Sequence, residues 1–222
     1  MDDCNIVYCD FDGTVTKNDC VNKFLSQYAD NKWLDIEYQW LEGKIGSKEC
    51  IKKQIGLIKN ISPSELKDFI YSIEIDEYFF DFYNYLKEQN KKLVILSDGF
   101  DFFIKETLNR YNISDIKYYA NKLLYENNKF SLLFENSDKN CRAKAGMCKC
   151  SKIHEKKFIY IGDGLSDSCI AAKATLLFAK NKLQRFCDEN NINYINFKTF
   201  NDILNYFREK GELNAKHNYI NI

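Results

Sequence analysis

Two carboxylates follow the first apolar run of the chain and are separated by a single residue. The run at residues 5–9 is short and rich in β-formers, and Asp10, Asp12 and Gly13 come directly after it. Such a run is typical of a buried parallel strand. Residues i and i+2 of a strand point the same way, so Asp10 and Asp12 should project together from its carboxyl end. Crowded acids repel unless a cation or a proton lies between them. The pattern is therefore unfavourable for stability and indicates a site that carries out chemistry.

Two later strands are each predicted to end in a small polar turn. The first turn comprises Ser97, Asp98 and Gly99, and the second contains Asp163 and Asp167. In a parallel sheet these turns would meet the first motif at one edge, where open α/β sheets bind ligands. Carboxylate and carbonyl oxygens suit Mg²⁺, and the amides of glycine-rich turns can hold an anion such as phosphate.

The elements that must position these residues alternate in type along most of the chain. Strand, turn and helix repeat after residue 78, which predicts a doubly wound parallel α/β sheet with helices on both faces. The predicted strands lie at residues 5–9, 92–96, 116–121, 129–134, 158–161, 175–179 and 194–197, and the predicted helices at 79–90, 101–111, 167–173, 182–190 and 199–209.

An all-helical block interrupts this alternation. Apolar residues recur there at helical spacing without a β-rich run, and Ser62 with Glu65 forms the pattern of a capping box. We therefore predict that residues 1–17 and 79–222 form the core and that residues 18–78 form an inserted helical cap.

Composition narrows the possible partners and location. The 222 residues carry 32 basic and 32 acidic side chains, so no basic excess indicates a nucleic-acid partner. No apolar run approaches the roughly 20 residues of a membrane span. The first residues lack a basic stretch followed by an apolar one, so we expect a cytoplasmic protein without a membrane partner.

The motifs DFDGTVT, LSDG and GDGLSD, with a lysine before the last, resemble in this order the haloacid dehalogenase (HAD) superfamily of phosphohydrolases. The resemblance implies a Rossmann-like core in which Asp10 attacks phosphorus and Asp12 serves as general acid and base. It further implies three groups of residues: Ser97, Asp98 and Gly99 on the phosphate, Asp10, Asp12 and Asp163 on Mg²⁺, and Asp167 in the shell around the metal.

The choice of the phosphate-binding lysine rests on a second resemblance. The loop from Cys141 to Lys149 is similar to the Cys-rich loop of the HAD subgroup that holds methionine-salvage phosphatases and vertebrate phosphoethanolamine/phosphocholine phosphatases. That resemblance implies Lys149, with Lys144 as the alternative. The chain departs from the methionine-salvage members at Cys150, where they have proline, and at Gly164, where they have serine.

The cysteine cluster has a competing interpretation as a zinc site. Its members Cys141, Cys148, Cys150 and His154 have the spacing C-x6-C-x-C-x3-H, which matches no common zinc template. The nine cysteines are odd in number and the chain is long, so we favour reduced thiols.

These observations predict Mg²⁺-dependent hydrolysis of a small phosphorylated metabolite beneath the cap. The candidate substrates are phosphoserine, phosphoethanolamine or phosphocholine, pyridoxal phosphate and methionine-salvage phosphates. Asp19 and Lys44 are candidate specificity residues, and Asp19 is predicted to contact a cationic leaving group. Two alternatives are a phosphotransferase or mutase on the same scaffold and a non-catalytic phosphate-binding protein.

Overall fold

A seven-stranded sheet forms the centre of the protein. The computed structural model describes residues 4–220, with side chains as far as residue 210. The strands are β1 (Ile6–Cys9), β2 (Lys92–Phe100), β3 (Lys117–Glu126), β4 (Lys129–Leu133), β5 (Ile159–Gly162), β6 (Leu176–Ala179) and β7 (Ile195–Asn196). Their spatial order is β4-β3-β2-β1-β5-β6-β7, and β4 alone runs antiparallel to its neighbour.

The strand order changes direction at β1. The chain builds β2 and β3 on one side of β1 and then crosses to build β5 and β6 on the other. Cys9 at the end of β1 is in register with both Ile95 and Ile161, so β1, β2 and β5 present their carboxyl ends together. Such a switch point is where doubly wound sheets bind ligands, and the predicted fold class is confirmed.

Helices cover the sheet, and four of them follow β1 before β2 begins. The first four are α1 (Cys20–Tyr28), α2 (Trp33–Leu41), α3 (Ser47–Ile55) and α4 (Pro63–Tyr71), and the later ones are α5 (Phe79–Glu88), α6 (Asp101–Arg110), α7 (Ser168–Ala171), α8 (Asn181–Glu189) and α9 (Phe200–Ile220). Ser62 and Glu65 form the predicted capping box at the start of α4. In the described part of the chain, no helix combines the length and apolar character that a membrane span requires.

The chain enters and leaves the four-helix insertion through a narrow neck. Thr16 and Ile75 form an isolated antiparallel bridge. The amide of Asp76 donates to the carbonyl of Val15 at 2.8 Å, which extends the pairing. The division into a core (1–17 and 79–222) and a cap (18–78) stays a prediction, and this neck is the feature that supports it.

One aromatic cluster joins the insertion to the sheet. The Phe24 ring of α1 is fully buried. Its centroid lies 4.8 Å from that of Phe69 in α4, 5.1 Å from Phe103 in α6 and 5.5 Å from Phe130 in β4. Burying such rings stabilises the cap on the core through the hydrophobic effect and through edge-to-face contacts.

The segment Ser97–Gly99 corrects one sequence-based expectation. It was predicted to be a turn after residue 96, but β2 continues through it to Phe100. The register with β3 passes from Leu96–Tyr119 to Phe100–Asn121, so β2 uses more residues than its partner here and the strand bulges. A bulge re-aims side chains at the end of a strand, which leaves Ser97 and Gly99 next to Asp12.

Candidate active site

The carboxyl ends of β1, β2 and β5 open into one cavity of about 350 Å³. Its floor includes Asp10, Asp12, Ser97, Gly99 and Asp163, which come from all three predicted motifs. The insertion forms the opposite wall through residues of α1, α2 and α3. The topology therefore brings together residues as far apart as 10 and 163.

Lys149 lies beneath this floor as a buried cation. Its Nζ is 2.7 Å from Asp10 Oδ1 and 2.5 Å from Asp167 Oδ1, and its side chain is 2% exposed. Burial alone would lower the pKa of Lys149, but the two carboxylates outweigh burial and hold the pKa above its ordinary value. Lys149 thus stays charged between two acids.

Asp167 is fully buried, and both of its oxygens are occupied. Oδ1 accepts from Lys149 and from the Tyr160 hydroxyl at 2.6 Å, and Oδ2 accepts from the amides of Asp163 and Gly164 at 3.1 and 3.0 Å. This arrangement fixes the turn after β5 and suits a carboxylate that orients other groups.

Asp163 is held so that its carboxylate faces Asp10. The Thr14 hydroxyl donates to Oδ1 at 3.1 Å and the Asn181 amide to Oδ2 at 3.3 Å. Gly13 has a positive φ of 76°, and a Cβ there would lie 2.7 Å from Asp163 Oδ2. Both the backbone conformation and the close approach therefore require glycine at this position.

The acids fit the requirements of a hard divalent cation. One carboxylate oxygen from each of Asp10, Asp163 and Asp167 lies within 4.8 Å of the other two. Among the described residues, these three side chains form the group that could hold a metal ion. Burial, followed by the Asp167 carboxylate, raises the pKa of Asp10 and of Asp163. Repulsion of this kind is relieved by a metal ion, and an all-oxygen donor set suits Mg²⁺.

Asp12 connects the core to the insertion. Its Oδ1 accepts from the amide of Cys20 at the start of α1, at 3.2 Å, and its Oδ2 accepts from the Ser97 hydroxyl at 2.9 Å. Gly99 donates its amide to the same hydroxyl at 2.9 Å, and a Cβ on Gly99 would collide with Asp12. Burial raises the pKa of Asp12, which favours the protonated form that an acid catalyst needs.

The Asp98 side chain forms hydrogen bonds with three separate parts of the structure. It accepts a hydrogen bond from the Ser47 hydroxyl at the start of α3, from the Met147 amide at 3.0 Å and from the Asn121 side chain at 3.1 Å. The carboxylate therefore links the cap, the Cys-rich loop and β3, while its backbone stays beside Ser97.

The remaining predicted residues separate into those at the cavity and those away from it. Asp19 lines the cavity rim and caps α1 by accepting from the Asn22 amide at 2.8 Å. Although Asp19 is exposed, desolvation by the surrounding protein atoms, followed by the Asp12 charge, raises its pKa to about 7. Lys44 is exposed, pairs with Glu42 at 2.6 Å and does not line the cavity. Lys144 is exposed in the Cys-rich loop.

Sequence reasoning missed several cavity residues. Glu37 and Trp40 come from α2 and Gln54 from α3, and Gln54 Nε2 donates to Glu37 at 3.0 Å. Asn181 and Lys182 arrive from the start of α8. These residues belong to no motif, and the helical periodicity gave no sign of which cap face would meet the site.

The cysteine cluster does not gather into a metal-ligand set within the described residues. All nine cysteines are free. Cys150 contacts Cys169 of α7, with 2.7 Å between the sulfurs. This close approach is a pairing that the sequence did not predict.

Comparison with known proteins defines the class of the molecule. A family model described as haloacid dehalogenase-like hydrolase matches residues 7–172, and the chain belongs to that family. The chain is 28% identical over 211 residues to a 2-hydroxy-3-keto-5-methylthiopentenyl-1-phosphate phosphatase of Brevibacillus brevis. The aligned region covers 92% of this chain and 95% of the relative. A phosphatase of the same name from Bacillus thuringiensis subsp. konkukian is 29% identical, with 89% and 93% covered.

Solved structures share the fold at lower identity. A HAD family hydrolase from Salmonella enterica serovar Typhi aligns with a TM-score of 0.70 and 19% identity, covering 90% of this chain and 70% of that one. A substrate-bound phosphoserine phosphatase aligns with a TM-score of 0.67 and 18% identity, covering 91% and 98%. These structures share the fold, and the protein's membership of the haloacid dehalogenase-like hydrolases agrees with its motifs.

Proposed function

We propose that the protein hydrolyses a small phosphate monoester with Mg²⁺ through an aspartyl-phosphate on Asp10. The observation that carries this proposal is the convergence of Asp10, Asp12, Ser97 and Asp163 around one cavity, with Lys149 paired to Asp10 beneath it. Phosphoryl transfer depends mainly on positioning and on charge neutralisation, which this set supplies.

Each residue has a separate task in this mechanism. The Asp10 carboxylate attacks phosphorus, and the Lys149 ammonium offsets the charge that gathers there. Asp12, whose pKa is raised by burial, donates a proton to the leaving oxygen and then accepts one from the attacking water. Ser97 and the amides of Asp98 and Gly99 hold phosphate oxygens. Asp10, Asp163 and the Asp12 carbonyl would hold Mg²⁺, with Asp167 behind them, and the ion would supply further charge neutralisation.

The charge of the cavity favours a leaving group that carries an amine. Six lining residues are acidic and Lys182 is basic. Lys149 offsets Asp10 and burial favours the protonated form of Asp12, so the acids of the insertion, Asp19 and Glu37, are left without a counter-charge from the lining. Trp40 lines the same cavity. Carboxylates and an aromatic face both attract ammonium groups. We therefore place phosphoethanolamine-like esters ahead of an ester whose leaving alcohol is uncharged, such as the one named for the bacterial relatives.

A panel of phosphate esters, assayed with Mg²⁺ and with a chelator, tests the proposal. We expect release of inorganic phosphate only with the metal, and a higher kcat/KM for amine-bearing esters. Asp10→Asn should abolish turnover and leave the fold intact, whereas Asp35→Asn, an exposed acid of α2, should keep full activity. An active Asp10→Asn variant would refute the nucleophile. A phosphorylated alcohol, formed when acceptor alcohols are added, would instead identify a phosphotransferase.

A further inference from the structure

Two thiols lie in contact beside the buried Lys149. Cys150 follows Lys149 in a short 3₁₀ turn, Lys149–Lys152, and Cys169 lies two residues beyond Asp167 at the start of α7. Their sulfurs are 2.7 Å apart. A disulfide bond is about 2.05 Å long, so closing it would move the sulfurs together by well under one ångström.

The ion pair beneath these thiols explains why they meet. Lys149 Nζ lies 2.5 Å from Asp167 Oδ1, so this ion pair already holds the 3₁₀ turn against the segment before α7. Lys149 is one residue from Cys150, and Asp167 is two residues from Cys169. Cys150 is half-buried and Cys169 is exposed, so a small oxidant in solvent can reach the pair. Neither thiol takes part in the proposed phosphoryl transfer.

We propose that Cys150 and Cys169 form a reversible disulfide when the protein meets a peroxide, and that the bond locks the Lys149 turn onto α7. In the first step the Cys150 sulfur attacks a peroxide oxygen, the O–O bond breaks, and hydrogen peroxide leaves one water molecule and a sulfenic acid. In the second step the Cys169 sulfur attacks the sulfenic sulfur, the S–O bond breaks, and a second water molecule leaves with the thiol proton.

Cys150 is the thiol that reacts first. Contact with the Cys169 sulfur, followed by the nearby Lys173 charge, lowers the pKa of Cys150 to about 7. The thiolate is the nucleophile towards peroxide. The pair then consists of an attacking thiol and a resolving thiol, which together prevent further oxidation of Cys150.

Peptide mapping of the full chain under non-reducing conditions tests this site. After treatment with hydrogen peroxide, trypsin should release residues 150–152 linked to residues 158–173, and dithiothreitol should separate them. In Cys169→Ser the link is impossible, and Cys150 should instead gain two or three oxygen atoms as sulfinic or sulfonic acid. Cys141→Ser, which alters a thiol of the same loop, should form the link as the wild type does.

The lock is measured separately by thermal unfolding. Oxidation should raise the Tm of the wild type by about 5–10 °C, because the bond closes a loop from 150 to 169, and should not raise the Tm of Cys169→Ser. Absence of the linked peptide across a peroxide series, a link from Cys150 to Cys148 in its place, or an unchanged Tm in the linked protein would overturn the proposal. None of these readouts depends on phosphatase activity.

Discussion

Lys149 carries a positive charge into a buried carboxylate cluster, where no solvent screens its contacts. Replacing it by methionine would leave Asp10 and Asp167 facing each other without a counter-charge. Removing one partner of a buried ion pair costs about 3–5 kcal/mol of stability. Losing a preorganised charge at the reacting group costs about 10²–10³ in kcat. Lys149→Met should therefore show both losses, measured by urea unfolding and by steady-state kinetics.

Lys144 supplies the matched control for that variant. It lies in the same loop, but its side chain is exposed. Lys144→Met should keep kcat within about twofold of the wild type and change stability by less than about 0.5 kcal/mol. The opposite result, a fall in kcat for Lys144→Met and none for Lys149→Met, would restore the alternative lysine.

Asp19 can be tested without disturbing the helix that it caps. Asparagine is as good an N-cap as aspartate, so Asp19→Asn should keep the hydrogen bond from the Asn22 amide while it removes the charge. We expect KM for phosphoethanolamine to rise about tenfold, which corresponds to about 1.4 kcal/mol. KM for a phosphate ester with an uncharged leaving alcohol should stay the same. Asp30→Asn, whose side chain accepts from the Lys32 amide outside the cavity, is the control. Equal changes for both substrates would contradict a contact with the cation.

Among the elements, the existence of the strands and the hairpin turn were predictable because local patterns determine them, although β3 continues to Glu126, past its predicted end at 121. Asn127 and Asn128 both have positive φ, 51° and 59°, in the two-residue turn between β3 and β4. Asparagine tolerates that conformation, so the turn could be predicted from residue type. The bulge at Ser97–Gly99 could not, because serine, aspartate and glycine are equally typical of a turn. Only the pairing of Phe100 with Asn121 distinguishes the two structures.

The cap side of the site was not predictable for a related reason. Helical periodicity identifies the buried face of α2 and α3 but not what that face meets. The contact between Ser47 and Asp98 fixes the orientation of α3, and its partners are 51 residues apart. Glu37 and Gln54 enter the cavity only because of such long-range contacts.

The junction between cap and core makes a stability prediction at the scale of these elements. Phe24→Ala would open a cavity among rings from α4, α6 and β4. Truncating a fully buried phenylalanine costs about 3–5 kcal/mol, and urea unfolding should lose that amount in a single transition. Leu34→Ala removes an exposed side chain of α2 and should change stability by less than about 0.5 kcal/mol. Two separate transitions would show that cap and core unfold independently, against the shared cluster.

For the whole molecule, the acidic floor links folding to pH and to metal. Burial and mutual repulsion raise the pKa of Asp10 and Asp163 above their ordinary range near 4. At pH values between the ordinary pKa and the raised pKa, Asp10 and Asp163 are protonated in the folded state but have lost their protons in the unfolded chain. Without a divalent ion, stability should therefore fall as the pH rises through this window.

Mg²⁺ should reverse that loss, because it binds the deprotonated carboxylates. At about one hundred times its Kd, a bound ion contributes about 2.7 kcal/mol, or about 5–10 °C in Tm for a chain of this size. We expect a larger shift at about pH 7.5 than at about pH 5, because the raised pKa values of Asp10 and Asp163 let protons compete for the same oxygens at the lower pH. Asp163→Asn should lose most of the shift, whereas Asp35→Asn should keep it. Mg²⁺ binding depends on pH only where the carboxylates that hold the ion change their protonation between the two pH values. A Tm shift of equal size at both pH values would therefore show that the ion binds outside the buried carboxylates.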